Sequence, residues 1–412
     1  MSEVCIIGGG ASGMFAALLC ARKGSKVTLY EKNEKLGKKL YITGKGRCNL
    51  TNHCTDDAFF DAVVSNPRFL YSAYAGCTNQ DVMNLFEELG VPLKTERGNR
   101  VFPESDRSSD IIRSLQNELM QLKVRYKLHT EVKKILLKQE KAASVLLADG
   151  TVQHFDRIIV ATGGMSYPVT GSTGDGYKMA EELGHKIIPL TPALVPLLTR
   201  EAYVRSLQGL ALKNVTFSVQ DGKRTIFSEF GELLFTHKGI SGPVVLSASS
   251  HIGRKLQKQD LEAQIDLKPA LSEEQLDARL LREFETARNK TFRNAVHSLL
   301  PASLLPVAVT LSGILEMTKV HDITKSQRAD FIRILKHFPL TLCGMGSFKE
   351  AIITQGGIDT RLIHPKTMES KKIKNLYFSG EVLDLDAVTG GFNLQIAWST
   401  AHAAACAVTE DQ

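Results

Sequence analysis

The chain opens on a short apolar run, Val4–Ile7, followed by a glycine-rich stretch and then an apolar, alanine-rich segment from Ala11 to Arg22. A second apolar run, Val27–Tyr30, ends at Glu31. That order predicts strand, tight turn, helix and strand, one βαβ-type unit. Apolar residues recur at helical spacing in Asn79–Leu89 and again in Ser108–Leu122, where Ile111, Ile112, Leu115, Leu119 and Leu122 follow a serine placed as a cap. Val124–Leu128, Val132–Leu137 and a hairpin turning at Asp149-Gly150 read as strands. Arg157–Ala161 is a further strand that stops at Thr162-Gly163-Gly164. Together they predict one mixed sheet with a small antiparallel meander laid across it.

The texture changes near Pro189, where Pro189, Pro192 and Pro196 interrupt the pattern. Val215–Val219 and Thr225–Phe227 form a hairpin around Asp221-Gly222, and with Leu233–Phe235 and Ala263–Leu267 they predict a small β-barrel or sandwich. Residues 272–336 read as mostly helical, with Leu276, Leu280 and Leu281 on the apolar face. The expected organisation is therefore a dinucleotide-type α/β domain over 1–189, an inserted domain over 190–342 and a return to the first domain over 343–412. Within the insert, 190–270 is barrel-like and 271–342 helical.

Composition narrows the class. The seven cysteines are odd in number and include no CxxC pair, which fits reduced thiols rather than a disulfide framework or a zinc site. No apolar run reaches the ~18 residues that span a bilayer, no signal-like core precedes the first strand, and a cytoplasmic location is expected. The net charge of +7 is not gathered into a run of like charges, so neither a nucleic-acid nor a membrane partner is expected.

The chemistry begins at Gly8-x-Gly10-x-x-Gly13, between a strand and a helix. In such a turn the first glycine allows the bend, the second lets a pyrophosphate approach bare backbone, and the third lets helix and strand pack closely. The phosphates then lie at a helix N-terminus, whose free N–H groups and dipole favour negative charge. Glu31 ends the next strand 18 residues after Gly13, where a carboxylate accepts ribose hydroxyls and disfavours a 2′-phosphate. Two later strands end similarly, Arg157–Val160 at the pair Gly163-Gly164 and Asn375–Phe378 at Gly380-Glu381. Gly390-Gly391 then opens a helix running to Ala407, whose positive end suits the pyrimidine edge of a flavin. FAD is preferred to NAD on these features.

The segments GGGASGMFAA, KLGKKLYITGKGRCNLTN, ATGGMSYPVTGSTGDGY, LLFTHKGISGP and GEVLDLDAVTGGFNLQIAWSTA resemble the BaiN family of flavoproteins, and the resemblance covers nearly the whole chain. It implies a Rossmann-type FAD-binding domain of the glutathione-reductase kind, interrupted by a barrel-like domain and a helical piece. By motif it implies FAD contacts at Gly8, Gly10, Ala11, Ser12, Gly13, Glu31, Lys32, Lys38, Lys39, Gly380, Glu381, Asn393 and Leu394. Gly163 and Gly391 join them from the strand and helix ends, and Val132, in a strand after the second helix, is the expected backbone contact to adenine. Arg47 either pairs with phosphate or clamps its loop.

The same resemblance implies reduction of a conjugated C=C bond in a 3-oxo bile-acid intermediate. NAD(P)H would reduce the flavin and a hydride would pass to the electron-poor carbon. A second member of the family resembles an amine oxidase that acts on aminoacetone with oxygen. A third reading is a tRNA-modifying flavoprotein. No second strand–GxGxxG–helix unit exists for NAD(P)H, which is expected to visit transiently; Gly171–Gly176 reads as a loop and cap beside the flavin. His237, at a strand-to-helix junction, is a candidate proton donor or else a solvated loop residue. Tyr167 either hydrogen-bonds a substrate carbonyl or packs over the flavin. Cys48 and Cys54 are too far apart in sequence for the usual redox dithiol of this fold, and Trp398 reads as core.

Overall fold

The computed structural model describes residues 2–410, and its contacts divide the chain into two compact units, Met1–Ala193 with Phe348–Gln412 and Leu194–Ser347. The first begins with β1 (Glu3–Ile7), α1 (Ala11–Arg22), β2 (Lys26–Tyr30) and the short α2 (Lys38–Ile42). It continues through α3 (Tyr71–Gly76), α4 (Asn79–Glu88), α5 (Ser108–Gln121) and β3 (Arg125–Lys127). β4 (Val132–Lys138), β5 (Lys141–Leu147), β6 (Val152–His154), β7 (Arg157–Val160), α6 (Asp175–Glu182) and β8 (Ile187–Ala193) complete this part.

In the second unit, β9 (Leu197–Thr199), β10 (Ala211–Asp221), β11 (Arg224–Phe235) and β12 (Gly239–Ser241) precede α7 (Pro243–Leu256) and β13 (Leu261–Asp266). A helical stretch with α8 (Glu273–Thr286) and α9 (Lys325–Lys336) then leads to β14 (Phe338–Met345). The six strands close into a barrel in the order β9-β12-β11-β10-β13-β14, every pair antiparallel. Leu233–Phe235 is thus the end of one long strand rather than a strand of its own, and the barrel is closed by a strand that follows the helices. Alternation explains the barrel's interior, because Val215, Phe217 and Val219 on β10 are all buried while their neighbours are not. On α8, Leu276, Leu280 and Phe284 face that core. Leu281, expected beside them, is 41% exposed, since 100° of helix rotation past Leu280 carries it off the buried stripe.

The chain returns to the first unit as β15 (Ile353–Ile358), β16 (Leu376–Phe378) and α10 (Phe392–Thr409). The central sheet has the order β16-β7-β1-β2-β3, with every pair parallel. It is not mixed as expected. The meander β4-β5-β6 forms a separate antiparallel sheet, because β3 ends at Lys127 and β4 does not continue its pairing. Both faces of a parallel sheet must be covered, and the strands accordingly read as unbroken apolar runs such as Cys5-Ile6-Ile7. Against it lie α1 and α10, which meet where the Phe15 and Trp398 rings stand 5.1 Å apart. Trp398 is fully buried and donates its ring N–H to the Leu50 carbonyl at 2.9 Å. Ser108 does not cap α5: it is the helix's first residue, and its hydroxyl donates to the Tyr41 carbonyl at 2.6 Å.

Candidate functional site

The C-terminal ends of the parallel strands converge on one edge of the first unit, which is where ligands bind open α/β sheets. Gly8 has φ +107°, and a Cβ there would stand 2.5 Å from the Ala161 carbonyl oxygen at the end of β7. A Cβ on Gly13 would stand 1.8 Å from the Gly8 carbonyl oxygen, so helix and strand touch backbone to backbone. Gly10 differs, because nothing lies within 4 Å of where its Cβ would be. It is also the N-cap of α1 with no side-chain capping bond, so the first-turn N–H groups at Ala11, Ser12 and Gly13 open toward that bare face. An uncapped helix start in front of an empty glycine face fits a diphosphate.

Glu31 ends β2 and is nearly buried. Its Oε2 accepts the Gly9 N–H at 2.8 Å, and its Oε1 accepts the Asn33 backbone and side-chain N–H groups at 2.8 and 2.7 Å. The carboxylate is therefore oriented by the chain itself, with acceptor capacity left on Oε2 for a ribose. Lys32 reaches Asp175 and the Thr173 hydroxyl, tying the strand end to the glycine-rich loop before α6.

A second cluster forms around Glu381. Its Oε2 accepts from Lys39 Nζ at 2.6 Å, and its Oε1 accepts from the Thr354 N–H at 2.8 Å and the Ser166 hydroxyl at 3.0 Å. Lys39 also donates to Ser166 at 2.6 Å. Gly163 lies beside this carboxylate with φ +72°, and a Cβ on Gly164 would strike Thr354 Oγ1 at 2.4 Å. Gly380 packs against Ser12, whose hydroxyl bonds that of Ser379, so the C-terminal strand is tied directly to the start of α1. Tyr177 donates to the Glu381 carbonyl at 3.3 Å, and burial first, then Glu381 and Asp384, push its phenol well above the usual range.

The third part is the start of α10. Gly391 caps it with φ +101°, where a Cβ would lie 2.4 Å from the Thr51 carbonyl. Asn393 turns back on the preceding loop, accepting from the Ala387 N–H at 3.0 Å and donating to its carbonyl at 2.8 Å. Leu394 is half-buried on the same turn.

The other expected residues have contacts of their own. Lys38 pairs with Glu34 at 3.1 Å. Arg47 pairs with Glu96 and Asp106 and stacks over Phe102 at 4.1 Å. Val132 is buried and pairs with Leu147 in the meander. Tyr167 is half-buried at φ +51° and donates its N–H to the Phe348 carbonyl at 3.1 Å. His237 belongs to the second unit, exposed on a tight turn closed by the Thr236 N–H on the Gly239 carbonyl, not at a strand-to-helix junction. Burial pushes the Cys48 thiol up to about 12 and also raises Cys54, so neither supplies a thiolate at neutral pH. Asn33, Ser166 and Thr354 carry much of the geometry without having been singled out. Thr354 sits inside the apolar-flanked strand ITQGGI and gives no local sign of its role.

Residues 2–407 match the family described as HI0933-like protein Rossmann domain. The ribosomal RNA dihydrouridine synthase of Haemophilus influenzae is 33% identical over 99% of this chain and 98% of its own. The 3-dehydro-bile acid delta(4,6)-reductase of Clostridium scindens is 32% identical over the full length of both. Among solved structures, 3-ketosteroid-delta4-(5alpha)-dehydrogenase from Rhodococcus jostii superposes with TM-score 0.51 at 13% identity, covering 99% of this chain and 97% of that one.

Proposed function

The chain belongs to the HI0933-like Rossmann family of flavoprotein oxidoreductases, and from that premise we propose that it is an FAD-dependent reductase of a ring C=C bond conjugated to a carbonyl. The observation that carries the reading is the bare Gly10 face at the uncapped start of α1, with Glu31 and the Lys39–Glu381 pair fixed beside it. α1 would hold the diphosphate by its N–H groups, and Glu31 the adenosine ribose. Glu381, held by Lys39, Ser166 and Thr354, would take the ribityl side, with the start of α10 presenting its positive dipole end. Bound FAD supplies hydride chemistry. The chain's own part is to bind and orient, with Lys39 fixing the Glu381 carboxylate in place.

The names of both full-length relatives denote the same chemical change, saturation of a ring double bond next to a carbonyl. A uracil ring in ribosomal RNA is the first substrate class to test, and a 3-oxo bile acid or steroid the second. The first is favoured by charge: Leu194–Ser347 carries 20 Lys and Arg against 15 Asp and Glu, while the rest of the chain carries 31 against 29. The basic excess, though it forms no run in the sequence, is mostly in one unit, and such a surplus favours a phosphate backbone. NAD(P)H is the proposed electron donor for either substrate.

The test is anaerobic. Purified yellow protein is titrated with NADPH or NADH while flavin absorbance is followed. In-vitro-transcribed ribosomal RNA, a 3-oxo-Δ4 steroid or a 3-oxo-Δ4,6 bile acid is then added. Bleaching followed by substrate-dependent recovery, with the product heavier by two hydrogens, is the expected result. Recovery with none of them, or bleaching by aminoacetone alone, overturns the reading.

A further inference from the structure

At the far ends of α1 and α10, away from their starts at the cofactor cradle, lies a cluster of side chains with no part in that cradle. Cys406 is half-buried near the end of α10. Lys23, the C-cap of α1, donates from Nζ to Cys406 Sγ at 3.2 Å. His402, one helical turn earlier, has Nε2 at 3.5 Å from the same sulfur. The His402 ring lies beside Gly76, the last residue of α3, where a Cβ would be in ordinary contact with Nδ1 at 3.4 Å. Behind them Cys20 is fully buried, and both Cys406 and Lys23 bear on its thiol.

We propose that Cys406 is the nucleophilic thiol of the folded protein, a site for covalent modification by soft electrophiles and by peroxide. Reactive cysteines are distinguished by nearby positive charge together with partial exposure, and Cys406 has both. The other six cysteines provide the contrast. Burial pushes the thiols of Cys5, Cys20, Cys48, Cys54, Cys77 and Cys343 upward. Cys406 alone is drawn down, first by its hydrogen bond with His402 and further by Lys23. The negative end of α10 opposes a thiolate there. Some of that field is spent, because the Cys406 carbonyl already accepts the Thr409 hydroxyl at 2.9 Å and the Glu410 N–H at 3.0 Å. With peroxide, the thiolate sulfur forms an S–O bond as the O–O bond breaks. Sulfur is oxidised by two electrons to a sulfenic acid, and the leaving hydroxide takes a proton to become water.

The experiment uses the flavin-loaded, full-length protein with limiting iodoacetamide between pH 5 and 9, each cysteine peptide being quantified by mass spectrometry. Cys406 should be alkylated about tenfold faster than Cys54 or Cys343, the other half-buried thiols, with a titration midpoint below the ordinary thiol value of about 8.5. Lys23→Met and His402→Gln should each move that midpoint upward, and Lys23→Arg should restore it, all with unchanged flavin content. Hydrogen peroxide followed by dimedone should tag Cys406 first. Equal rates at Cys54 or Cys343, or a Lys23→Met protein with an unaltered Cys406 profile, would overturn the proposal. If the variants fail to fold, the ranking of the seven wild-type cysteines decides it.

Discussion

At the residue scale, the three glycines of the first turn make separable demands. A methyl on Gly10 meets nothing within 4 Å, whereas one on Gly13 meets the Gly8 carbonyl oxygen at 1.8 Å. Gly10→Ala should therefore leave the thermal stability of flavin-free protein within about 0.5 kcal/mol. It should still weaken FAD binding tenfold or more, about 1.4 kcal/mol, as read by flavin fluorescence. Gly13→Ala should cost about 3 kcal/mol in the fold itself, because backbone must move to make room. Glu381 gives a second test. Its loss strands the Lys39 ammonium, about 20% exposed, with Ser166 alone. Glu381→Gln should lower stability by roughly 1–2 kcal/mol and reduce the flavin retained through purification.

At the element scale, helix phase decides which leucines hold the second unit together. Leu280 is fully buried and its neighbour Leu281 is 41% exposed. Leu280→Ala should cost about 2–5 kcal/mol and Leu281→Ala under about 0.5 kcal/mol, measured by urea denaturation. The alternation on β10 and the 3.6-residue stripe on α8 are both present in the chain as written, and so the elements were legible there. Their ends were less so. Ser108 has the residue type of a cap, yet its hydroxyl finds the Tyr41 carbonyl, a partner 67 positions away. Leu233–Phe235 looks separate from Thr225–Phe227 because the polar Ser228, Glu229 and Glu232, all exposed, and the bare Gly231 break the apolar pattern between them.

At the scale of the whole molecule, a buried histidine couples folding to pH. His185 is 3% exposed, beside the Phe378 ring, with one ring nitrogen 2.7 Å from the Ser370 hydroxyl and the other 3.2 Å from the Ala180 carbonyl. Burial holds its pKa below the ordinary value of 6.5, with Lys372 acting in the same direction and the Ala180 bond against it. The folded ring therefore stays neutral while the unfolded one takes a proton. Its stability contribution is complete above pH 6.5 and falls as pH drops through that value, until the folded ring also titrates. Chemical denaturation between pH 7.5 and 5 should show this decline in the wild type, and a reduced one in His185→Gln. The proposed preference for RNA over a steroid belongs to this scale too, since it rests on which unit carries the basic excess rather than on any motif.

The linear chain determined the parts whose cause is local. Strand and helix periodicity, the glycine turn, the acid ending β2 and the glycine before Glu381 each follow from a few neighbouring residues obeying sterics and burial. What the tertiary structure alone decided is which distant groups meet. Lys39 is 342 positions from Glu381, and Thr354 comes from an otherwise ordinary strand. Arg47 meets Glu96 and Asp106, 49 and 59 positions on, and Lys23 meets Cys406 across 383 positions. Such pairings are set by how helices pack on a parallel sheet, and a side chain's partner in space leaves no periodic trace in the sequence around it.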